Sequence, residues 1–357
     1  MRIFQMLSTI AYGDAVSNDT FAMEKIIKGM GYSTRIYAES IVAPLDKKNA
    51  LNVDELKDVH KDDVIIFHMS TGSRLNFDVA KYDCRKIVVY HNITPPEYFA
   101  KNDSRFTKVC EYGLEGARYL ADKVDYCLAV SAFNKQDLIN MGYKCDIDIL
   151  PVIIPMSDYD KKPDKGVMKE YSDGYTNILF TGRVAPNKKH EDLIASFYYY
   201  NRLYNKKSRL ILAGSFREDD PYYIRLTEYT KKLGLGDAVV FTGHIKFDRI
   251  LAYYRTADVF LCMSEHEGLP LVEAMKFQIP VIACANAAIP ETLGGSGMLI
   301  DDKDPVYVAA CIDRMVRDKA LRADVIEKQN NRLAYFQYDN IAGMFEKYLK
   351  AFIEKNA

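Results

Sequence analysis

Asp258-Val259-Phe260-Leu261-Cys262-Met263-Ser264-Glu265-His266-Glu267-Gly268-Leu269-Pro270-Leu271-Val272-Glu273-Ala274-Met275 is the stretch that decides the fold. Its first six residues are almost wholly apolar, the pattern of a parallel strand buried on both faces. From Leu271 to Phe277 the apolar residues fall at helical spacing. Carboxylates, a histidine and a glycine thus lie between a buried strand and a helix. Open α/β sheets bind ligands at the carboxyl ends of their strands, so Glu265, Glu267, Gly268, Leu269, Pro270 and Glu273 are candidate site residues.

Working outward, strand-like runs alternate with helical stretches through both halves of the chain, the signature of stacked βαβ units. The first half carries strands at Arg2–Leu7, Ser33–Ala38, Val64–His68, Lys86–His91, Val124–Val130 and Ile147–Leu150. The second carries Asn177–Thr181, Arg209–Ala213, Ala238–Thr242, Asp258–Met263 and Pro280–Cys284. Between them Leu150-Pro151-Val152-Ile153-Ile154-Pro155 opens a polar stretch that runs to Tyr175. Its prolines disfavour helix, so an extended hinge is expected. Two Rossmann-like domains follow, residues 1–150 and 151–339. The last helix, from Asn340, has an apolar stripe of Met344, Phe345, Tyr348, Leu349, Phe352 and Ile353 that is expected to complete the first domain.

Composition limits the alternatives. The chain has 357 residues, too many for one typical core, and its 48% hydrophobic content is that of a globular protein. A net charge of −1 gives no global argument for nucleic-acid binding. No run of eighteen apolar residues occurs, and Ser8 and Thr9 interrupt the first apolar segment too early for a signal peptide, so a cytoplasmic location is the default expectation. The seven cysteines have no Cys-x-x-Cys spacing and read as buried thiols. The six histidines show no metal-site spacing, and Asp301-Asp302-Lys303-Asp304 reads as a solvated turn, so no metal and no cofactor are expected.

Three further constellations lie at strand ends. Gly182-Arg183 and Lys188 stand between a strand and a helix, where two cations and unpaired backbone N–H groups would make an anion site; a solvated basic loop is the alternative. Gly13 lies between the first strand and first helix, without the three-glycine dinucleotide fingerprint. His91 ends an apolar strand before a proline-fixed loop, and His68 ends its neighbour. Either histidine can be structural.

Taken as a set, these residues resemble glycosyltransferase family 4, retaining nucleotide-sugar enzymes with the GT-B fold. The resemblance rests on Gly182-Arg183 with Lys188, on Glu265 and Glu273, on Glu273-Ala274-Met275 and on Pro280-Val281-Ile282-Ala283. It extends to Ala288-Ile289-Pro290-Glu291-Thr292, Tyr90-His91-Asn92-Ile93-Thr94-Pro95 and Gly13-Asp14-Ala15. It implies two Rossmann-like domains with parallel sheets facing across a cleft, the donor held mainly by the second. By this resemblance Arg183 and Lys188 neutralise the donor diphosphate, Glu273 accepts from the ribose, and the preceding acidic residue and His91 face the sugar. Gly13 brings backbone N–H groups to the diphosphate.

Two departures stand out. The glutamate directly before Gly268 is Glu267, two residues later than the usual count, whereas Glu265 keeps the count but precedes His266. Asp14 stands where a second glycine is common. The expected activity is transfer of a sugar, with retention and without metal, from a UDP- or GDP-sugar to a glycan or lipid-linked acceptor, in surface polysaccharide or glycoconjugate assembly. A peripheral association with the inner face of the membrane fits such an acceptor. A nucleotide-sugar epimerase of the same fold and a non-catalytic donor-binding subunit are the alternatives.

Overall fold

The computed structural model describes residues 1–265 and 268–355. It divides into two compact units, Met1–Pro155 with Phe336–Ala357, and Met156–Tyr335.

The first unit is built on seven strands: β1 (Arg2–Ile10), β2 (Ser33–Ile41), β3 (Leu51–Asn52), β4 (Val64–Met69), β5 (Arg85–Tyr90), β6 (Tyr126–Ala129) and β7 (Asp146–Ile149). Their order is β3-β2-β1-β4-β5-β6-β7, parallel throughout. β4 is buried at every position, which is why its sequence is an apolar run and not an alternation. One face is covered by the helix Ala15–Gly29 and the terminal helix Tyr338–Lys355, whose Ile341, Phe345, Leu349 and Phe352 join Ile3, Ile26, Ile66 and Leu128 in one apolar cluster.

The second unit has six parallel strands: β8 (Thr176–Thr181), β9 (Ser208–Ala213), β10 (Val239–Phe241), β11 (Val259–Cys262), β12 (Val281–Cys284) and β13 (Met298–Ile300). Their order, β10-β9-β8-β11-β12-β13, reverses between β8 and β11. In the first sheet the reversal lies between β1 and β4. A reversal leaves a crevice at the strand ends because the flanking helices depart to opposite faces.

Two strands were not expected from sequence, β3 and β13. Both are edge strands of two or three residues, too short to carry a periodicity. The polar stretch after Pro155 is not wholly extended, because Asp164 caps a helix, Lys165–Tyr171. The helix after β11 starts at Leu269, two residues before the apolar spacing begins, with Pro270 in its first turn where no backbone donor is needed. No helix among the described residues is long and apolar enough to cross a membrane.

Candidate active site

In the second unit the reversal point gathers the loops that follow β8 and β11. Gly182 has φ +145°, and its carbonyl oxygen lies where a Cβ on Gly214 would come within 1.9 Å. The loops after β8 and β9 therefore meet backbone to backbone, joined by Gly182 N–H to Ala213 O at 3.0 Å and Val184 N–H to Ser215 O at 3.0 Å. Arg183 is exposed beyond this turn, while Lys188 is only 5% exposed. Lys189 takes a left-handed conformation, φ 52°, at the start of the helix His190–Leu203. A non-glycine residue there costs about 1 kcal/mol.

The β11 loop is knitted to this one. The Glu265 N–H donates to the carbonyl of Asn187 at 2.9 Å, and the Ser264 hydroxyl reaches the same oxygen at 3.4 Å. The Glu265 carboxylate lies 2.7 Å from Lys303 Nζ and 3.2 Å from Lys189 Nζ. Burial pushes this carboxyl up, but hydrogen bonds from the two ammonium groups outweigh it and hold the group below its usual range. Lys303 comes from the turn Asp301–Asp304, whose Asp304 caps the helix Pro305–Arg317. Glu267 lies outside the described residues. Gly268 is required by packing: a Cβ would stand 2.6 Å from the Thr292 hydroxyl. Leu269 and Pro270 follow it, half-buried, in the first helical turn.

Glu273 sits in the second turn of that helix and does not open it. Its Oε1 accepts from the Tyr159 hydroxyl at 2.6 Å and its Oε2 accepts from Tyr254, whose hydroxyl also meets Thr181 Oγ1 at 2.7 Å. Burial raises the Glu273 carboxyl while the two hydroxyls act against that rise. Tyr159, Tyr254 and Lys303 were missed by sequence reasoning, since their partners lie 19 to 114 residues away.

In the first unit Gly13, φ +79°, follows β1 with open space around it. Asp14, standing where a second glycine is common, is the helix cap: its Oδ2 accepts from the Ser17 N–H and hydroxyl, both at 2.9 Å. His91 follows β5, and its Nε2 lies 3.0 Å from His68 Nδ1 and 3.7 Å from Asp19 Oδ2. His68 Nε2 meets Gln5 Oε1 at 3.0 Å. Burial pushes His91 down to about 3 and holds His68 well below its usual value, so both are neutral near pH 7. Burial pushes Asp19 up to about 7, with the Ile153 N–H acting against it from 2.8 Å. Asp19, His68 and His91 bring ligand-type atoms within 4.8 Å of one another, a grouping that residue spacing did not reveal. The separation of the two imidazole nitrogens is that of a hydrogen bond. Gln5 and Asp19 were not singled out in the sequence; a polar residue inside an apolar strand and a carboxylate on a buried helix face were their signals.

Residues 168–332 match the family model described as glycosyl transferases group 1. The matched region holds Gly182 to Lys188 and Ser264 to Glu273. Over 269 residues the chain is 24% identical to O-antigen chain mannosyltransferase B of Escherichia coli, covering 72% of this chain and 68% of that protein. It is 30% identical over 189 residues to D-inositol 3-phosphate glycosyltransferase of Acidothermus cellulolyticus, covering 50% and 42%. A third relative, the GDP-mannose-dependent alpha-(1-6)-phosphatidylinositol monomannoside mannosyltransferase of Mycobacterium tuberculosis, is 24% identical, covering 65% and 63%. The second unit is similar to group 1 glycosyl transferases, and most of the chain is similar to sugar-transferring relatives. Sucrose-phosphate synthase from Thermosynechococcus elongatus superposes with TM-score 0.76 at 17% identity, with both chains fully covered. Anabaena HepE in complex with UDP and glucose gives TM-score 0.76 at 16% identity, covering 98% of this chain and all of that one. At such identities the likeness is one of fold.

Proposed function

We propose that this chain is a family 4 glycosyltransferase that moves a hexosyl group from a UDP- or GDP-sugar to a hydroxyl of a glycan or lipid-linked acceptor, with retention and without a metal. The observation that carries the reading is the joining of the β8 and β11 loops through the Asn187 carbonyl, which gathers Arg183, Lys188 and the acidic loop at one sheet reversal. Cations at strand ends stabilise a diphosphate as it leaves and negative charge develops on it. Glu273 keeps a lone pair on each oxygen beyond those taken by the tyrosines, enough to accept from two ribose hydroxyls. Gly13 supplies close backbone at the diphosphate, and His91 meets the sugar. The GDP-mannose-dependent relative supports GDP-mannose as donor and a HepE complex with UDP-glucose supports UDP-glucose, while a glycan or lipid-linked acceptor fits assembly of surface polysaccharide or glycoconjugate at the inner membrane face.

Thermal shifts with GDP-mannose and UDP-glucose test donor binding, since a ligand at a hundred times its Kd stabilises by about 2.7 kcal/mol. A shift with either, followed by transfer to an acceptor with the anomeric configuration kept and the rate unchanged by chelator, is the expected result. Silence with both donors would sink the proposal, and isomerised donor without acceptor would make the protein an epimerase. Within the acidic loop, Glu267→Gln is expected to lose more turnover than Glu265→Gln, because two lysines already occupy the Glu265 carboxylate. The reverse order would assign the sugar-facing role to Glu265.

A further inference from the structure

The geometry points to a fixed hydrogen-bond chain in the first unit, in which Gln5 and His68 are positioning residues that hold His91 as its Nε2–H tautomer and leave Nδ1 as an acceptor. The carbonyl of Thr20 can only accept a hydrogen bond. Gln5, fully buried in β1, donates its amide N–H to that oxygen at 3.1 Å, and this orients the amide. Its Oε1 therefore faces His68 Nε2 at 3.0 Å, so Nε2 of His68 carries the hydrogen. A neutral imidazole has one hydrogen, and Nδ1 of His68 is left bare. That bare nitrogen lies 3.0 Å from Nε2 of His91, which must then be the donor. The remaining nitrogen of His91, Nδ1, is a lone-pair acceptor.

One further observation agrees with this direction. Asp19 Oδ2, buried and without a hydrogen-bond partner among the described residues, lies 3.7 Å from His91 Nε2, so once this carboxyl is ionised, above about pH 7, its charge favours the hydrogen on that nitrogen. The His91 side chain keeps a small exposure, 3%, against 1% for Asp19 beside it. The consequence is chemical selectivity: His91 can accept a hydrogen bond from a ligand hydroxyl and cannot donate one. This step rests on the reading that His91 meets the transferred sugar. It predicts that a donor with a hydroxyl at the contacted position is used and that its deoxy or fluoro analogue is disfavoured.

Long-range proton–nitrogen correlation NMR on protein labelled at its histidines reports imidazole tautomers directly, with His91→Gln identifying the His91 signals. At pH 7.5 without ligand, His91 and His68 are expected as Nε2–H tautomers, unchanged by chelator. In His68→Phe the His91 signals should move toward a mixture of tautomers, with kcat/KM down roughly tenfold, the size of one lost hydrogen bond. Gln5→Met, a smaller perturbation, should loosen the tautomer of His68. His91 found as Nδ1–H or as imidazolium in the unaltered protein, or changed by chelator, would overturn the hydrogen-bond chain, as would His68 found as Nδ1–H or a kcat/KM unaltered in His68→Phe. Failure of transfer with the Nε2–H signature intact would count against the transferase reading alone.

Discussion

Lys188 is a cation only 5% exposed at the end of a strand, where desolvation strengthens its attraction for an anion. If it and Arg183 stabilise the leaving diphosphate, Arg183→Ala and Lys188→Ala should each reduce kcat about a hundredfold, near 3 kcal/mol, with the donor Kd less affected. Steady-state rates beside direct donor binding check this, and near-normal turnover in both variants would reduce the basic loop to surface. His190, two residues on, has a different lesson. It is fully buried between the rings of Phe180 and Tyr222, and burial, aided by Lys188, pushes it down to about 3. The unfolded chain takes this proton near pH 6.5, so the stability linked to His190 is complete above that pH and is lost as the pH falls toward 3. Between pH 8 and 5 it accounts for a loss of about 2 kcal/mol. His190→Phe keeps a ring in place and should shrink the drop in urea stability by that amount; an unchanged drop would show that the loss arises elsewhere.

At the scale of elements, the site depends on loops that touch through glycine. Gly214 has no room for a side chain because the Gly182 carbonyl stands 1.9 Å from the position of a Cβ. Gly214→Ala must push apart the ends of β8 and β9, at about 1–3 kcal/mol, and displace Arg183 with them. A lower urea midpoint together with weaker donor binding is expected, and a midpoint and affinity equal to the unaltered protein would mean that the loops separate freely. The sequence marked Gly182 and Gly268 as special but not why. Gly268 owes its identity to Thr292, on another helix, and Asp14 owes its own to capping, which a motif comparison alone reads as a missing glycine. Central strands such as β4 and β11 were legible because burial on both faces demands unbroken apolar runs. The edge strands β3 and β13 were not, because two or three residues carry no period.

At the scale of the whole molecule, the chain returns to its first unit at Phe336. Phe345, fully buried in the apolar cluster shared by the terminal helix and the first sheet, ties that return to the fold. Phe345→Ala should destabilise the first unit by about 3–5 kcal/mol. Hydrogen exchange should quicken in β1, β4 and β5 while β8 and β11 keep their protection; equal loss in both units would show that they unfold as one. The amino-acid sequence by itself determined that two α/β units exist, where most strands lie and which loops carry charge, because burial and turn chemistry act over a few neighbouring residues. Only the tertiary structure decided that Glu273 is held by Tyr159 and Tyr254, that Glu265 is held by Lys189 and Lys303, and that Gln5, His68 and His91 share one line of protons. Those contacts join side chains far apart along the chain, and their distances are set by how parallel strands and their helices stack, which no local pattern records.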